Sequence, residues 1–288
     1  MRTPISIASA AAVALAIFAF AEPAPPSSSI TLGWKDNILT VHHPDIPGGK
    51  VDTWYLEAYC RPGSTDREWS ETVIGHETKL VSINASKTEL VLRCALEDGV
   101  TVDHTIRAVA DGVSFDLVAH NPTDKVSQAH WAQPCIRVGE FTGTGADTTD
   151  DKYAYLAKSF VFQDADDKPD FMPTAKWATE ARYTPGQVWC PKPVPRTDIN
   201  PRPLHPDTPN NGLIGCISAD EKWILATAWQ PYQELFQGVI RCLHSDFRIG
   251  GLAPGQRRAI KGKLYLVPND IPGLLRRYRD DFPSADER

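Results

Sequence analysis

The stretch from Thr88 to Asn121 constrains the fold more than any other part of the chain. Leu90, Leu92 and Cys94 alternate with Val91, Arg93 and Ala95, and Glu97-Asp98-Gly99 follows. Val102, His104, Ile106 and Ala108 then alternate with Asp103, Thr105 and Arg107 up to Asp111-Gly112, after which Phe115, Leu117 and Ala119 alternate with Asp116 and His120. Successive side chains on a strand point to opposite faces, so this period of two broken by turn residues predicts an antiparallel meander. A three-residue loop with Gly99 in the left-handed conformation joins the first two strands, and a two-residue Asp111-Gly112 loop joins the next two. The second loop predicts Ala110 opposite Val113, Ala108 opposite Phe115, Ile106 opposite Leu117 and His104 opposite Ala119, all on one apolar face. Arg107 then faces Asp116 and Asp103 faces His120 on the other. His104, among apolar neighbours, reads as a hydrogen-bonded core histidine.

Further strand candidates are Ile38–Val41, Val51–Tyr59, Gln128–Val138, Leu156–Gln163, Gly212–Ser218, Ile224–Ala228, Gly238–Leu243 and Ala259–Val267. A C-terminal helix is expected from Pro272 to Phe282, capped by Asp270, with Leu274, Leu275 and Tyr278 docked on a sheet. Many short strands and little helix predict an all-β fold, a large antiparallel two-sheet super-sandwich with a short C-terminal helix. The segment from Phe171 to Asn211 has no clean period and is rich in Pro, Trp and Asn. A loop this long is expected to be functional or packed across a surface.

The N-terminus has the layout of a secretory signal: Met1-Arg2-Thr3-Pro4, an apolar run from Ile5 to Phe20, and Ala19-Phe20-Ala21 as a cleavage site. Residues 1–21 are expected to be removed, 22–29 to form a Pro- and Ser-rich leader, and 30–288 to form one domain in an exported protein, periplasmic or extracellular. No later segment has the length and apolarity of a membrane span. The net charge of −6 comes without a basic block, which argues against nucleic acid as a partner. The six cysteines lie after the signal, and an oxidising compartment predicts at least one disulfide whose connectivity the spacing leaves open. The chain lacks C-x-x-C, H-E-x-x-H, G-x-S-x-G, the P-loop and the dinucleotide fingerprint. His42-His43-Pro44-Asp45 and His205-Pro206-Asp207 resemble ligand clusters by composition alone, since adjacent histidines on a strand point apart. No metal or cofactor is expected.

The passage Asp103-His104-Thr105-Ile106, Asp111 to Phe115, Val118-Ala119-His120-Asn121-Pro122-Thr123 and His130-Trp131 resembles galactose-mutarotase-like β-sandwiches. The tail from Gly250 to Gly255 and Leu264-Tyr265-Leu266 resembles their closing strands. The resemblance implies a twisted super-sandwich whose concave face binds saccharides. It also implies a histidine acid and a glutamate base; His130 is the best positional match for the first and Glu234 stands in for the second, while the local patterns around both depart from the usual motifs. The residues themselves add His244 as a second acid/base candidate. On a strand, Cys242, His244 and Asp246 share one face, where the His and Asp could orient a proton or a metal. Trp131, Trp177, Tyr183, Trp189 and Trp229 are candidate stacking planes for a sugar, and Arg241 and Arg248 could hold an anionic group in a bidentate contact. Two readings stay open: a carbohydrate-active enzyme with epimerase- or lyase-like proton transfer, and a noncatalytic glycan-binding or structural cell-envelope module. The expected partner is a saccharide or polysaccharide, anionic if the arginines bind it.

Overall fold

The computed structural model describes residues 29–145, 150–164, 167–174 and 181–283. The signal and nearly all of the leader lie outside the described residues, as does Trp177. In chain order the strands are β1 (Thr31–Lys35), β2 (Ile38–His42), β3 (Lys50–Cys60), β4 (Val73–Ile74), β5 (His76–Ile83), β6 (Glu89–Leu96), β7 (Thr101–Val109), β8 (Gly112–His120), β9 (Trp131–Arg137), β10 (Ser159–Val161), β11 (Asp170–Phe171), β12 (Ile214–Ile217), β13 (Trp223–Gln230), β14 (Tyr232–Gly238), β15 (Cys242–Arg248) and β16 (Arg257–Pro268). Helix α1 spans Trp69–Thr72, α2 spans Gly139–Thr142 and α3 spans Ile271–Asp281.

The strands form two antiparallel sheets. The first runs β1-β2-β3-β9-β15-β14, with β4 paired to β3, and the second runs β11-β10-β12-β13-β16-β8-β7-β6-β5. The expected two-sheet sandwich with a C-terminal helix is therefore the observed architecture. Between the sheets pack Leu32, Val41, Leu90, Leu92, Ile106, Phe115, Ile136, Trp229, Leu243, Phe247 and Leu264, among others. Burying one such large side chain contributes about 1.5–3 kcal/mol. Leu274 and Leu275 of α3 are buried with Phe160, Ala226 and Tyr265 in a smaller cluster against the second sheet. Asp270 occupies the cap position before α3, but its side chain makes no capping bond.

His104 of β7 is fully buried and crosses the sandwich to the first sheet. Its Nδ1 lies 2.8 Å from Tyr55 Oη and its Nε2 lies 3.2 Å from Tyr59 Oη, both on β3. Burial pushes its pKa down to about 3, so the ring is neutral.

The meander forms with its faces as expected and one of its turns displaced. Gly99 takes φ 90°, and the loop after Leu96 closes as read. In the next hairpin Val109 pairs with Gly112, which sets Ala108 opposite Val113, Ile106 opposite Phe115 and His104 opposite Leu117. The turn is therefore Ala110-Asp111, and every pair moves by two residues without changing face. Gly112 is a strand residue: a Cβ there would run into the backbone of Leu264 on β16. Asp103 accordingly pairs with Arg93 across β6, while Arg107 still reaches Asp116 diagonally at 3.0 Å. The strand expected at Gly238–Leu243 is instead the turn between β14 and β15 and the start of β15. All six cysteines are buried free thiols, which corrects the expected disulfide.

Candidate functional site

Alternation on the first sheet separates core from chemistry. On β15, Leu243 and Phe247 enter the core, while Cys242, His244 and Asp246 point to the outer face. On β9, Ile136 enters the core and Gln133 and Cys135 face outward; on β14, Leu235 enters and Glu234 and Phe236 face outward. A bulge between Tyr232 and Glu234 sets Glu234 directly opposite Asp246. Bulges redirect side chains in this way beside many functional sites.

The described part of the long loop, residues 181–211, does not hang free. Trp189 pairs with Leu235 of β14, and Arg182 pairs with Arg202 within the loop. Val188, Cys190, Val194 and Ile199 bury Phe236 beneath the loop. Between loop and sheet lies a hollow of about 220 Å³. Its floor includes Gln133, Cys135, Cys242 and His244, and its walls include Glu57, Trp69 and Tyr183. The rings of Trp69 and Tyr183 lie 5.9 Å apart at 56°. Gln133 donates to Glu57 across 3.0 Å.

The floor is densely polar. Cys242 Sγ lies 3.3 Å from His244 Nε2, and His244 Nδ1 lies 3.5 Å from Asp246 Oδ1. Phe236 stacks flat on the imidazole, with centroids 4.2 Å apart and planes at 4°. Burial drives the Cys242 thiol up, but a bond from Cys135 and the charge on His244 outweigh it and hold the thiol well below its ordinary value. Burial acts against the charged form of His244, yet Cys242 and Asp246 together raise it to about 10. Burial raises Asp246 to about 7 and, with the neighbouring Asp246 carboxylate, holds Glu234 well above the carboxylate range. Behind Cys242 and His244 thus lie two carboxyls, Asp246 and Glu234, too close and too deeply buried for both to ionise.

A second polar group sits at the other end of β15. Arg248 donates to Gln233 Oε1 and to Asp198 Oδ2, and Asp198 also accepts from the Gly63 N–H at 2.8 Å. His130 Nδ1 lies 3.7 Å from the same carboxylate. Burial pushes Asp198 up, but the nearby His130 and bonds from the Gly63 amide and Arg248 prevail and lower it.

The structure places the sequence candidates unequally. It brings His244 and Glu234 together on the outer face of one sheet. His130 lies instead with Asp198, away from the hollow. Arg248 is committed to Asp198, and Arg241 is a turn residue at φ 50° that donates to the carbonyls of Thr144 and Asp150, so neither guanidinium is presented to an anion. Trp131 is fully buried with its indole N–H on Ser64, and Trp189 is fully buried with its N–H on Gln163. Trp229 is 3% exposed between the sheets. These three indoles are packing, because large aromatic rings are the most effective means of pinning a loop or closing a core. The reading missed Glu57, Trp69, Gln133 and the approach of Cys135 to Cys242. The signal for Gln133 and Cys135 was present, since they alternate on β9 as Cys242 and His244 do on β15.

No protein family and no curated protein matches the sequence. Among solved structures, an aldose 1-epimerase candidate from Escherichia coli K12 is 12% identical over 83% of this chain and 99% of its own, with a TM-score of 0.41. A galactose mutarotase-like protein from Lactobacillus casei ATCC 334 is 9% identical over 83% and 100%, with a TM-score of 0.41. Another from Clostridium acetobutylicum is 10% identical over 81% and 93%, with a TM-score of 0.39. The two-sheet sandwich itself stands on the chain's own strand pairing.

Proposed function

We propose that this chain is an exported carbohydrate-directed protein and that the hollow on the outer face of the first sheet is its sugar site. One observation carries the reading: two aromatic side chains, Trp69 and Tyr183, wall a small cavity whose other linings include Glu57 and Gln133. A pyranose presents C–H faces to aromatic planes and hydroxyls to carboxylate and amide groups, and this cavity's lining offers both. Its size suits a single ring. Tyr183 is 42% exposed and so available at the entrance. The anionic preference expected from Arg241 and Arg248 does not carry over, because both guanidinium groups already have partners.

The test is a binding screen of the protein against neutral and anionic glycans, followed by calorimetry on the best ligand. Trp69→Ala and Tyr183→Ala are each expected to weaken binding at least tenfold, with circular dichroism unchanged. Retained affinity in both variants, or no glycan bound by folded protein, would remove the sugar site. Polarimetry of a freshly dissolved anomer then separates the enzymatic reading from the binding module: accelerated mutarotation would make it an enzyme.

A further inference from the structure

We propose that Cys135, Cys242 and His244 form a binding site for one thiophilic d¹⁰ cation of the zinc class. One ligand atom from each residue lies within 4.8 Å of the others. A tetrahedral zinc with Zn–S of about 2.3 Å and Zn–N of about 2.0 Å holds sulfur and nitrogen ligands about 3.5 Å apart. The Cys242 Sγ to His244 Nε2 distance of 3.3 Å matches that spacing before any adjustment.

Three further features fit an ion. The imidazole turns Nε2 toward the sulfurs and Nδ1 toward Asp246 Oδ1 at 3.5 Å. A carboxylate behind the distal nitrogen is the usual outer support of a metal-binding histidine, fixing its tautomer and raising its basicity. The donors also balance charge: two thiolates neutralise a dication, so the loaded site adds no net charge to a buried face. Finally, all three residues line the same hollow. A Cys₂His set with one position open to a cavity is the donor arrangement of a catalytic rather than a closed structural site. The ligands stand on two adjacent strands: Leu243 pairs with Ile136 and Cys242 with Arg137, which brings Cys135 alongside His244. Flat stacking of Phe236 fixes the imidazole plane.

This inference goes beyond the saccharide reading, and its test contains no sugar, so either can fail alone. The full chain is purified under reducing conditions, stripped with a chelator and dialysed against Zn²⁺, and bound metal is measured by mass spectrometry. A parallel sample is loaded with Co²⁺ and its spectrum recorded. The expected result is one retained zinc per chain and a thiolate-to-cobalt charge-transfer band. Both are lost in the Cys135→Ser/Cys242→Ser double variant and kept in Cys94→Ser, a buried cysteine on the far side of the sandwich core. Asp246→Asn is expected to weaken binding by about 10–100-fold. The wild-type cobalt spectrum needs no variant to fold, so it decides even if the substitutions destabilise. Absence of zinc and of the charge-transfer band in wild-type protein with free thiols would overturn the site. So would metal binding that survives the double variant, or a Cys135–Cys242 disulfide that persists against excess zinc.

Discussion

Acidification should weaken this fold through His104 in a measurable window. The group is fully buried, held between Tyr55 and Tyr59, and its pKa falls from 6.5 to about 3 by burial. The groups near it are the two tyrosine hydroxyls, Cys94 at 3.4 Å, Asp103 and His76. Because the folded pKa is depressed, the unfolded chain binds a proton below pH 6.5 that the folded chain refuses. Stability is therefore unaffected above that pH and falls as the pH drops toward the folded value. The slope is about 1.4 kcal/mol per pH unit, or roughly 3 kcal/mol between pH 6.5 and pH 4. Surface carboxylates titrate over part of the same range, so the assay compares wild type with His104→Gln. Urea unfolding of both proteins is followed by tryptophan fluorescence at several pH values from about 7 to about 4. The variant is expected to start less stable, since it disturbs buried hydrogen bonds worth about 1–3 kcal/mol each when left unmade, and then to lose less on acidification. A stability difference between the two that stays constant across the range would refute the argument, because it would mean that His104 accepts its proton in the folded state.

Other outcomes follow from groups that cannot adjust. Asp198→Ala removes the carboxylate partner of the half-buried Arg248, which keeps only Gln233 among the described residues, and thermal unfolding should register a loss of about 1–3 kcal/mol. Arg248→Met combined with Asp198→Leu should recover much of that loss, since it removes both charges together. Gly262 on β16 lies beneath the Trp229 ring, where a Cβ would overlap ring carbons, so Gly262→Ala should cost about 1–3 kcal/mol in a denaturant titration. Leu243→Ala should cost about 2–5 kcal/mol by opening a core cavity, whereas Phe236→Leu should chiefly disturb the imidazole plane and be read in the NMR shifts of His244.

The sequence made the meander legible because each strand there has one wet face and one dry face. Its faces survived a misplaced turn, since a two-residue shift conserves side. Gly112 misled because two demands favour the same residue: a turn with positive φ and a close approach by the backbone of β16. The second demand comes from a strand about 150 residues away and leaves no local trace. On β15 the shared face of Cys242, His244 and Asp246 was legible, but nothing in those residues signals that a loop will cover it. Covering reverses the usual meaning of polarity on a sheet, so Trp131, Trp189 and Trp229, read as stacking planes, are packing, and the polar residues of β15 are buried. Glu57, Trp69 and Gln133 escaped notice because they come from distant segments and meet only when β3, α1 and β9 assemble.

The division of labour along β15 has a consequence for how the chain can vary. Odd-numbered Leu243 and Phe247 serve the interior, and even-numbered Cys242, His244 and Asp246 serve the covered outer face. A point substitution at one parity leaves the other intact, so chemistry at the hollow and cohesion of the sandwich can drift independently. A one-residue insertion or deletion exchanges the two sets at a stroke, driving charge inward and leucine outward. Within this strand the chain should tolerate changes of spelling and reject changes of frame.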